Sequence, residues 1–480
     1  VGTIAYTKKS DFDYWVCVDK RSVAPEALKN FQKKIDAIQK WAMDEIDIEV
    51  HLFINDIVDI KNNIFAEDED EAFGSTIGAV LKDEFFRSSI IIAGKIPFWW
   101  VVPKFINDSE YERLFNSIPE EDRENSFVDL GNLYEISKED FLGAALFQLI
   151  KSLGSPFKSI IKIGVLEKYL FSPDYVPLLS QKVKQNLLRG NLTNKILDGY
   201  ILMFEEVYSH YESHLDEKEL LKILRQNLYL KIDPQLSKYL NMKQKGNLPY
   251  KVAVMLKYIE SWGWSQNDIK NLDEFDNWDY NKVNAFWKLV QKFMLLSLQK
   301  IYAEIPTLNL ADKVSESDFK LLQRKIKTHF SKEVGKIDHY ITFKDTPNEP
   351  ILYIEPIEDA LKIHEWKLLK RNKSKNEQFQ STPLQSDSSL LKLISWAAIN
   401  KIFHPTFSRL KLKSGYMHID QSIVTDLLTG IYNLFVLNDL KLKNEFFLQD
   451  SFSLANMIII NFNIDNSSSI QHIAYIHRTS

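Results

Sequence analysis

The hydrophobic pattern changes period along the chain. Near the start, Asp11-Phe12-Asp13-Tyr14-Trp15-Val16-Cys17-Val18 reads as one strand and Ile48-Glu49-Val50-His51-Leu52-Phe53 as a second. Successive strand side chains point to opposite faces, so Asp11, Asp13, Trp15 and Cys17 share one face while Phe12, Tyr14, Val16 and Val18 share the other. Between the strands, Leu28, Phe31, Ile35, Ile38, Trp41 and Ala42 recur at helical spacing after Pro25, a residue suited to the first helical turn. The unit expected is strand, helix, strand.

Residues 54–75 read as a loop containing Glu67-Asp68-Glu69-Asp70-Glu71, a run that most simply forms a solvated surface. A helix is expected from Ser75 to Lys95 and a strand from Ile96 to Val102. Helical periodicity dominates 137–330, in Phe141–Leu153, Pro156–Leu170, Lys195–Leu215, Glu217–Tyr229, Pro249–Trp262 and Asn281–Glu304. After Lys336 the character changes to strand-like Tyr340–Phe343 and Ile351–Ile354. Arg371-Asn372-Lys373-Ser374-Lys375-Asn376 through Ser389, poor in apolar residues, reads as a flexible loop. Regular structure returns in Ile423–Val436 and Met457–Phe462, before a polar tail from Asn466. The fold class expected is α+β: a core over 1–110, a mainly helical domain over 111–335, and the beginning of a mixed α/β region over 336–480.

Composition narrows the function. A chain of 480 residues with 45% hydrophobic content can fill two or three soluble domains. Its 60 basic and 65 acidic residues give a net charge of -5, which argues against nucleic acid as the main partner. The single cysteine, Cys17, excludes an internal disulfide framework or a Cys-rich zinc site, and reads as a small buried hydrophobe in a cytoplasmic protein. The apolar stretches Ile90–Val102 and Met457–Phe462 fall short of the ~20 residues a spanning helix needs. Because the chain starts at Val1 without Met and stops in a polar tail, it reads as an internal piece of a longer protein.

The chemistry lies in the carboxylates. Asp11 and Asp13 point the same way, and Glu49 joins them if the two strands are neighbours. Three carboxylates converging on a sheet edge make an oxygen-rich cage for Mg2+ or Mn2+, as in a nucleotidyltransferase. An isolated Asp-x-Asp is weak, but here an ordered set surrounds it: Gly74-Ser75-Thr76, Asp83-Glu84-Phe85-Phe86-Arg87, Ala93-Gly94-Lys95, Trp99-Trp100 and Pro103. Asp129-Leu130-Gly131, Phe141-Leu142-Gly143-Ala144, Ser155-Pro156-Phe157-Lys158, Trp262-Gly263-Trp264 and Asn277-Trp278 follow. With these residues the chain closely resembles the bacterial class I adenylate cyclases, over most of its length and fading after about residue 340.

The resemblance implies a nucleotidyltransferase fold of the DNA polymerase β superfamily, with ATP as substrate and cyclic AMP and pyrophosphate as products. Asp11 and Asp13 would hold two cations about 4 Å apart, and Glu49 would complete the catalytic one and take up a proton. Ser10 and Trp15 match positions tied to the site: Ser10 as a phosphate or water contact or a plain strand start, Trp15 as a wall of the nucleotide pocket or a core aromatic. Lys95 matches a triphosphate contact. The family's phosphate turn, a Gly-Ser pair, falls just before Val1-Gly2-Thr3, so only Gly2 and Thr3 remain of that segment. The resemblance also implies a C-terminal regulatory region answering to a protein of a sugar phosphotransferase system. Transfer of AMP to another acceptor, or a non-catalytic regulatory role for the same fold, are the alternatives.

Other charged groups are less specific. Lys151, Lys158 and Lys162 lie on nearly one helical face, either as a solvated stripe or as phosphate contacts. Arg87 reads as a phosphate contact or one half of an ion pair. Asp83 and Glu84, adjacent on a helix and diverging by about 100°, read as structural. His51 shares the Glu49 face and reads as a packed or hydrogen-bonded histidine.

Overall fold

In a computed structural model the described residues are 3–7, 10–65, 74–154, 156–172, 175–191, 197–213, 218–240, 248–278, 280–307, 316–330, 335–338, 348–358, 363–372, 380–413, 419–437, 448–450, 453–462 and 472–479. Gly2, the acidic run 67–71, Tyr340–Phe343 and the stretch from Asn466 to Ser469 lie outside them, as does the side chain of Lys158. The chain divides into two compact units, 1–269 with 290–322 and 270–289 with 323–480.

The first unit opens as its pattern dictates. Strand β1 (Phe12–Val18) runs into helix α1 (Pro25–Ile46) and returns as β2 (Val50–Asp56), parallel to β1 in the register Phe12↔Val50 to Val18↔Asp56. Pro25 stands at the start of α1, and Asp47, at φ 54°, ends it by turning its N–H back to Ala42 and Met43. Of the six apolar positions that predict this helix, Ile35 and Ala42 are buried, while Trp41 is 56% exposed.

The loop expected over 54–75 contains a short helix, α2 (Ile57–Lys61). Asp56 starts it by accepting from the N–H groups of Val58 and Asp59, and its second oxygen accepts from the Lys20 N–H, tying the ends of β1 and β2 together. Helix α3 (Gly74–Ser88) stops seven residues before Lys95. Gly78 lets α3 press against the preceding turn, since a Cβ there would stand 1.9 Å from the Asn63 carbonyl oxygen. The strand expected over Ile96–Val102 shrinks to β3 (Ile96–Pro97), paired in parallel with β4 (Phe127–Val128), and gives way to a 3-10 turn over Phe98–Trp100. Pro97 lacks the N–H a ladder needs and stands at the entry to that turn.

The helical middle is α4 (Asp108–Ser117), α5 (Glu120–Ser126), α6 (Lys138–Gly154), α7 (Pro156–Phe171), α8 (Leu179–Leu188), α9 (Gly199–Glu212), α10 (Lys218–Ile232), α11 (Tyr250–Trp262), α12 (Gln266–Asp273), α13 (Tyr280–Glu304) and α14 (Glu316–Phe330). Leu142, Ala145, Leu146, Ile160, Ile161, Val207, Leu224 and Met255 are fully buried in its core. Helix α8, which the pattern does not single out, buries Val183 together with the polar residues Ser180, Gln181 and Lys184.

In the second unit, β5 (Ile351–Glu358), β6 (Ile363–Asn372), β7 (Gln380–Asp387) and β8 (Arg409–Leu412) form a sheet in the order β7-β6-β5-β8. Only the β5–β8 pairing is parallel. Residues 371–389, expected as a loop, instead supply the end of β6 and all of β7. Strand β7 is an edge strand, which tolerates its polar composition and Pro383 while burying Leu384. Helices α15 (Leu390–Ile399) and α16 (Gln421–Tyr432) share a core with Leu352, Ile354, Trp366 and Leu368. The polar tail also contains a strand: β9 (Ser453–Ile460) pairs antiparallel with β10 (Ile473–Thr479).

Candidate active site

Parallel pairing of β1 with β2 sets Asp13 opposite His51, and the Phe12 N–H bonds the Glu49 carbonyl just ahead of the ladder. Asp11, Asp13 and His51 thereby come together, each offering a ligand atom within 4.8 Å of the others. Glu49 stands beside this group, and its carboxylate accepts from His51 Nε2 at 3.2 Å. The structure therefore assembles the two aspartates with an imidazole, and Glu49 is joined to them through that ring. The sequence signal for His51 was its place two residues after Glu49, on the same face of the strand.

The Asp13 carboxyl is held above its ordinary pKa, first by partial burial and next by the negative charge of Asp11, against the opposing pull of His51. Two exposed carboxylates and a ring nitrogen at this separation are a donor set a divalent cation fits.

The remaining expected residues divide. Trp15 stacks on Phe85 of α3 at 4.3 Å between centroids and 4° between planes, and meets Phe65 at 4.9 Å, fixing β1 against α3. Ser10 closes the turn that leads into β1: its hydroxyl accepts from the Thr7 N–H at 3.0 Å, and its own N–H bonds the Thr7 carbonyl. Thr3 begins an earlier turn through its carbonyl, and the neighbouring Ile4 N–H is held by Asp198 at the start of α9. Lys95 is exposed in the turn after α3 and makes no ion pair among the described residues. Burial pushes the Cys17 thiol up to about 11, so it stays protonated at neutral pH.

One lysine of the helical middle and one arginine of α3 itself are engaged by carboxylates of α3. Lys162 pairs with Glu84 at 3.2 Å, and Arg87 lies 3.5 Å from Asp83. Lys162, then Arg87 and Lys151, pull the Glu84 carboxyl down to about 2 against its burial. Asp83 turns the other way, accepting from the Ser180 N–H of α8 at 3.0 Å. Glu84 also raises the Asp13 pKa slightly, so the Lys162 pair stands within electrostatic reach of β1.

A second carboxylate centre forms around Asp129, part of the Asp129-Leu130-Gly131 motif, to which the sequence assigns no role. Asp129 accepts from Lys61 Nζ at 2.7 Å, from the Tyr111 hydroxyl at 2.8 Å and from the Gly131 N–H at 2.9 Å. Gly131, at φ 82°, passes the Lys61 backbone so closely that a Cβ would stand 2.7 Å from its carbonyl oxygen. Below it Lys82, fully buried, donates to that same carbonyl at 3.1 Å.

A strand–helix–strand unit that converges carboxylates on one face, joined to a helical array, defines a mixed α/β protein. Known families agree with that description. Residues 1–100 match the adenylate cyclase NT domain, 136–341 the second domain of class-I adenylate cyclase, and 349–439 its third domain. The chain belongs to the class-I adenylate cyclases, of which it holds the N-terminal, second and third domains. It is 28% identical over 439 residues to the adenylate cyclase of Yersinia intermedia, covering 91% of this chain and 50% of that protein. The adenylate cyclase of Proteus mirabilis is 28% identical over 441 residues, 90% of this chain and 50% of that one. That of Escherichia coli K12 is 27% identical over 404 residues, 83% and 46%. The chain thus spans about half the length of the curated relatives it matches. No solved structure matches it significantly. No helix among the described residues is long and apolar enough to cross a membrane.

Proposed function

We propose that this chain carries the catalytic centre of a cytoplasmic adenylate cyclase with a polymerase β-like nucleotidyltransferase core. The reaction forms a bond from the ribose 3′-oxygen of ATP to the α-phosphorus, breaks the bond from that phosphorus to the pyrophosphate oxygen, and releases the hydroxyl proton. The observation that carries this reading is the pair Asp11 and Asp13, convergent and unneutralised, within the segment that matches the family's N-terminal domain.

Asp11 and Asp13 would hold Mg2+ or Mn2+, which when bound supplies Lewis-acid stabilisation of charge on the phosphoryl and leaving oxygens. Glu49, exposed and using one oxygen toward His51, accepts the 3′-hydroxyl proton. Lys95 is free to meet the triphosphate as a point charge, and Lys162 can do so if phosphate displaces Glu84. Thr3 and Ser10 lie on the approach to β1, where backbone donors to phosphate belong, Gly2 precedes them in sequence, and Trp15 bounds the site from the α3 side. A regulatory protein of a sugar phosphotransferase system rests on the family resemblance alone.

The test uses protein expressed from its full native gene, incubated with ATP and Mg2+ or Mn2+ and analysed by chromatography. Cyclic AMP with equimolar pyrophosphate is the expected product. An adenylylated acceptor without cyclic AMP would make the protein a transferase to another hydroxyl, and no turnover of ATP would make it non-catalytic.

A further inference from the structure

We infer that His51 is a nitrogen ligand of the cation held by Asp11 and Asp13, with Glu49 orienting its ring, so that this site favours borderline cations over Mg2+. The inference rests on the reading of Asp11 and Asp13 as the cation-holding pair.

The geometry comes from the strand pairing. Asp13 and His51 are register partners across a parallel ladder, and strand alternation keeps Asp11 and Glu49 on that same face. A ring nitrogen of His51 therefore lies within 4.8 Å of a carboxylate oxygen of each aspartate. Glu49 favours one tautomer: in the ring that donates from Nε2 to its carboxylate, at 3.2 Å, the remaining lone pair is on Nδ1. A carboxylate holding one ring N–H while the other nitrogen binds a cation is the common second-sphere arrangement for histidine ligands, and it raises ligand basicity.

The consequence is cation choice. A site of carboxylate oxygens alone suits Mg2+, whereas an imidazole donor gives more to Mn2+ and still more to Co2+. His51 therefore acts as a specificity-determining residue, and Glu49 has two tasks, holding the ring with one oxygen and receiving a proton with the other.

The test is spectroscopic and independent of turnover. Mn2+ is bound to the 480-residue chain and probed by electron spin echo modulation for a directly coordinated 14N. Affinities for Mg2+ and Co2+ are measured by calorimetry in the same protein and in its His51→Ala and Glu49→Gln variants. Nitrogen modulation is expected in the unaltered chain and lost in His51→Ala. That variant should lose ~10-fold or more in Co2+ affinity, with a change of less than about twofold for Mg2+, and Glu49→Gln should show a smaller loss in the same direction. Mn2+ bound in a manner abolished by Asp13→Asn, yet without nitrogen modulation in the unaltered chain, would overturn the role of His51 and leave the aspartate site standing. Mn2+ binding insensitive to Asp11→Asn and Asp13→Asn would overturn the site itself, and the inference with it.

Discussion

Two carboxylate centres in the first unit use the same residue types and come to opposite ends. Asp129 is enclosed by its own chain: a lysine, a tyrosine hydroxyl and a backbone N–H converge on it, and its side chain is 13% exposed. Asp11 and Asp13 converge on one another, remain exposed, and have the His51 imidazole beside them. A carboxylate whose counter-charge is supplied by the fold is there for the fold. One with no ion pair among the described residues is open to a group that arrives from solution. The pKa directions follow: burial pulls the Lys61 ammonium down, but hydrogen bonds to Asp129 and Glu112 more than offset this, while Asp13 is pushed up with nothing comparable in return.

The contrast breaks most readily at the aspartate pair. Asp11→Asn or Asp13→Asn should lower cyclic AMP formation by ~10³-fold or more, because charge stabilisation in the transition state depends on both. The denaturation midpoint should barely move, since removing one of two repelling charges costs the fold nothing. A large loss of stability with the activity loss would make β1 carboxylates structural.

Asp129→Ala should do the reverse. It strands the Tyr111 hydroxyl and the Gly131 N–H and leaves Lys61 with Glu112 alone, for a loss of about 2–4 kcal/mol in urea unfolding. Unchanged stability would show that the Asp129 contacts are too well solvated to matter.

Lys82 sharpens the structural side through pH. Burial brings its pKa down to about 8, with Asp129 and Asp108 only partly restoring it. The folded protein therefore gives up this proton near pH 8 while the unfolded chain keeps it to about 10.4. The cost of burying the cation is felt in full below pH 8 and fades as pH rises from 8 toward 10. Lys82→Met should accordingly gain about 2 kcal/mol over the unaltered protein at pH 7, and the advantage should shrink by pH 10. A difference independent of pH would point to packing rather than charge.

Lys95→Ala is the mildest change. An exposed point charge with no ion pair among the described residues is expected to raise KM for ATP several-fold while leaving kcat and stability close to unaltered. An unchanged KM would return Lys95 to the ordinary solvated surface.

The legibility of these centres in sequence follows from how local they are. Asp11 and Asp13 are two apart on one strand, so alternation alone puts them on one face. The third member of their group depends on which of two same-face residues, Glu49 or His51, swings toward the pair, and that is settled by the strand register and by the hydrogen bond between them. Asp129 stands out only as part of a motif, and its structural role is not legible because its partners lie 18 and 68 residues away. The same reasoning covers the fold. Helices with full apolar stripes were legible, while edge strand β7 was read as loop because only the sheet beside it accounts for a strand that buries little more than Leu384. Helix α2 was missed because a single side chain, Asp56, creates it.

The most direct measurement compares the two centres in one assay: cyclic AMP formed per folded molecule by Asp13→Asn and Asp129→Ala proteins, each expressed from the full native gene and assayed below its unfolding midpoint. The account predicts loss of ~10³-fold or more for Asp13→Asn and activity within a few-fold of the unaltered protein for Asp129→Ala. Retained turnover in Asp13→Asn, or its abolition in a folded Asp129→Ala, would contradict it.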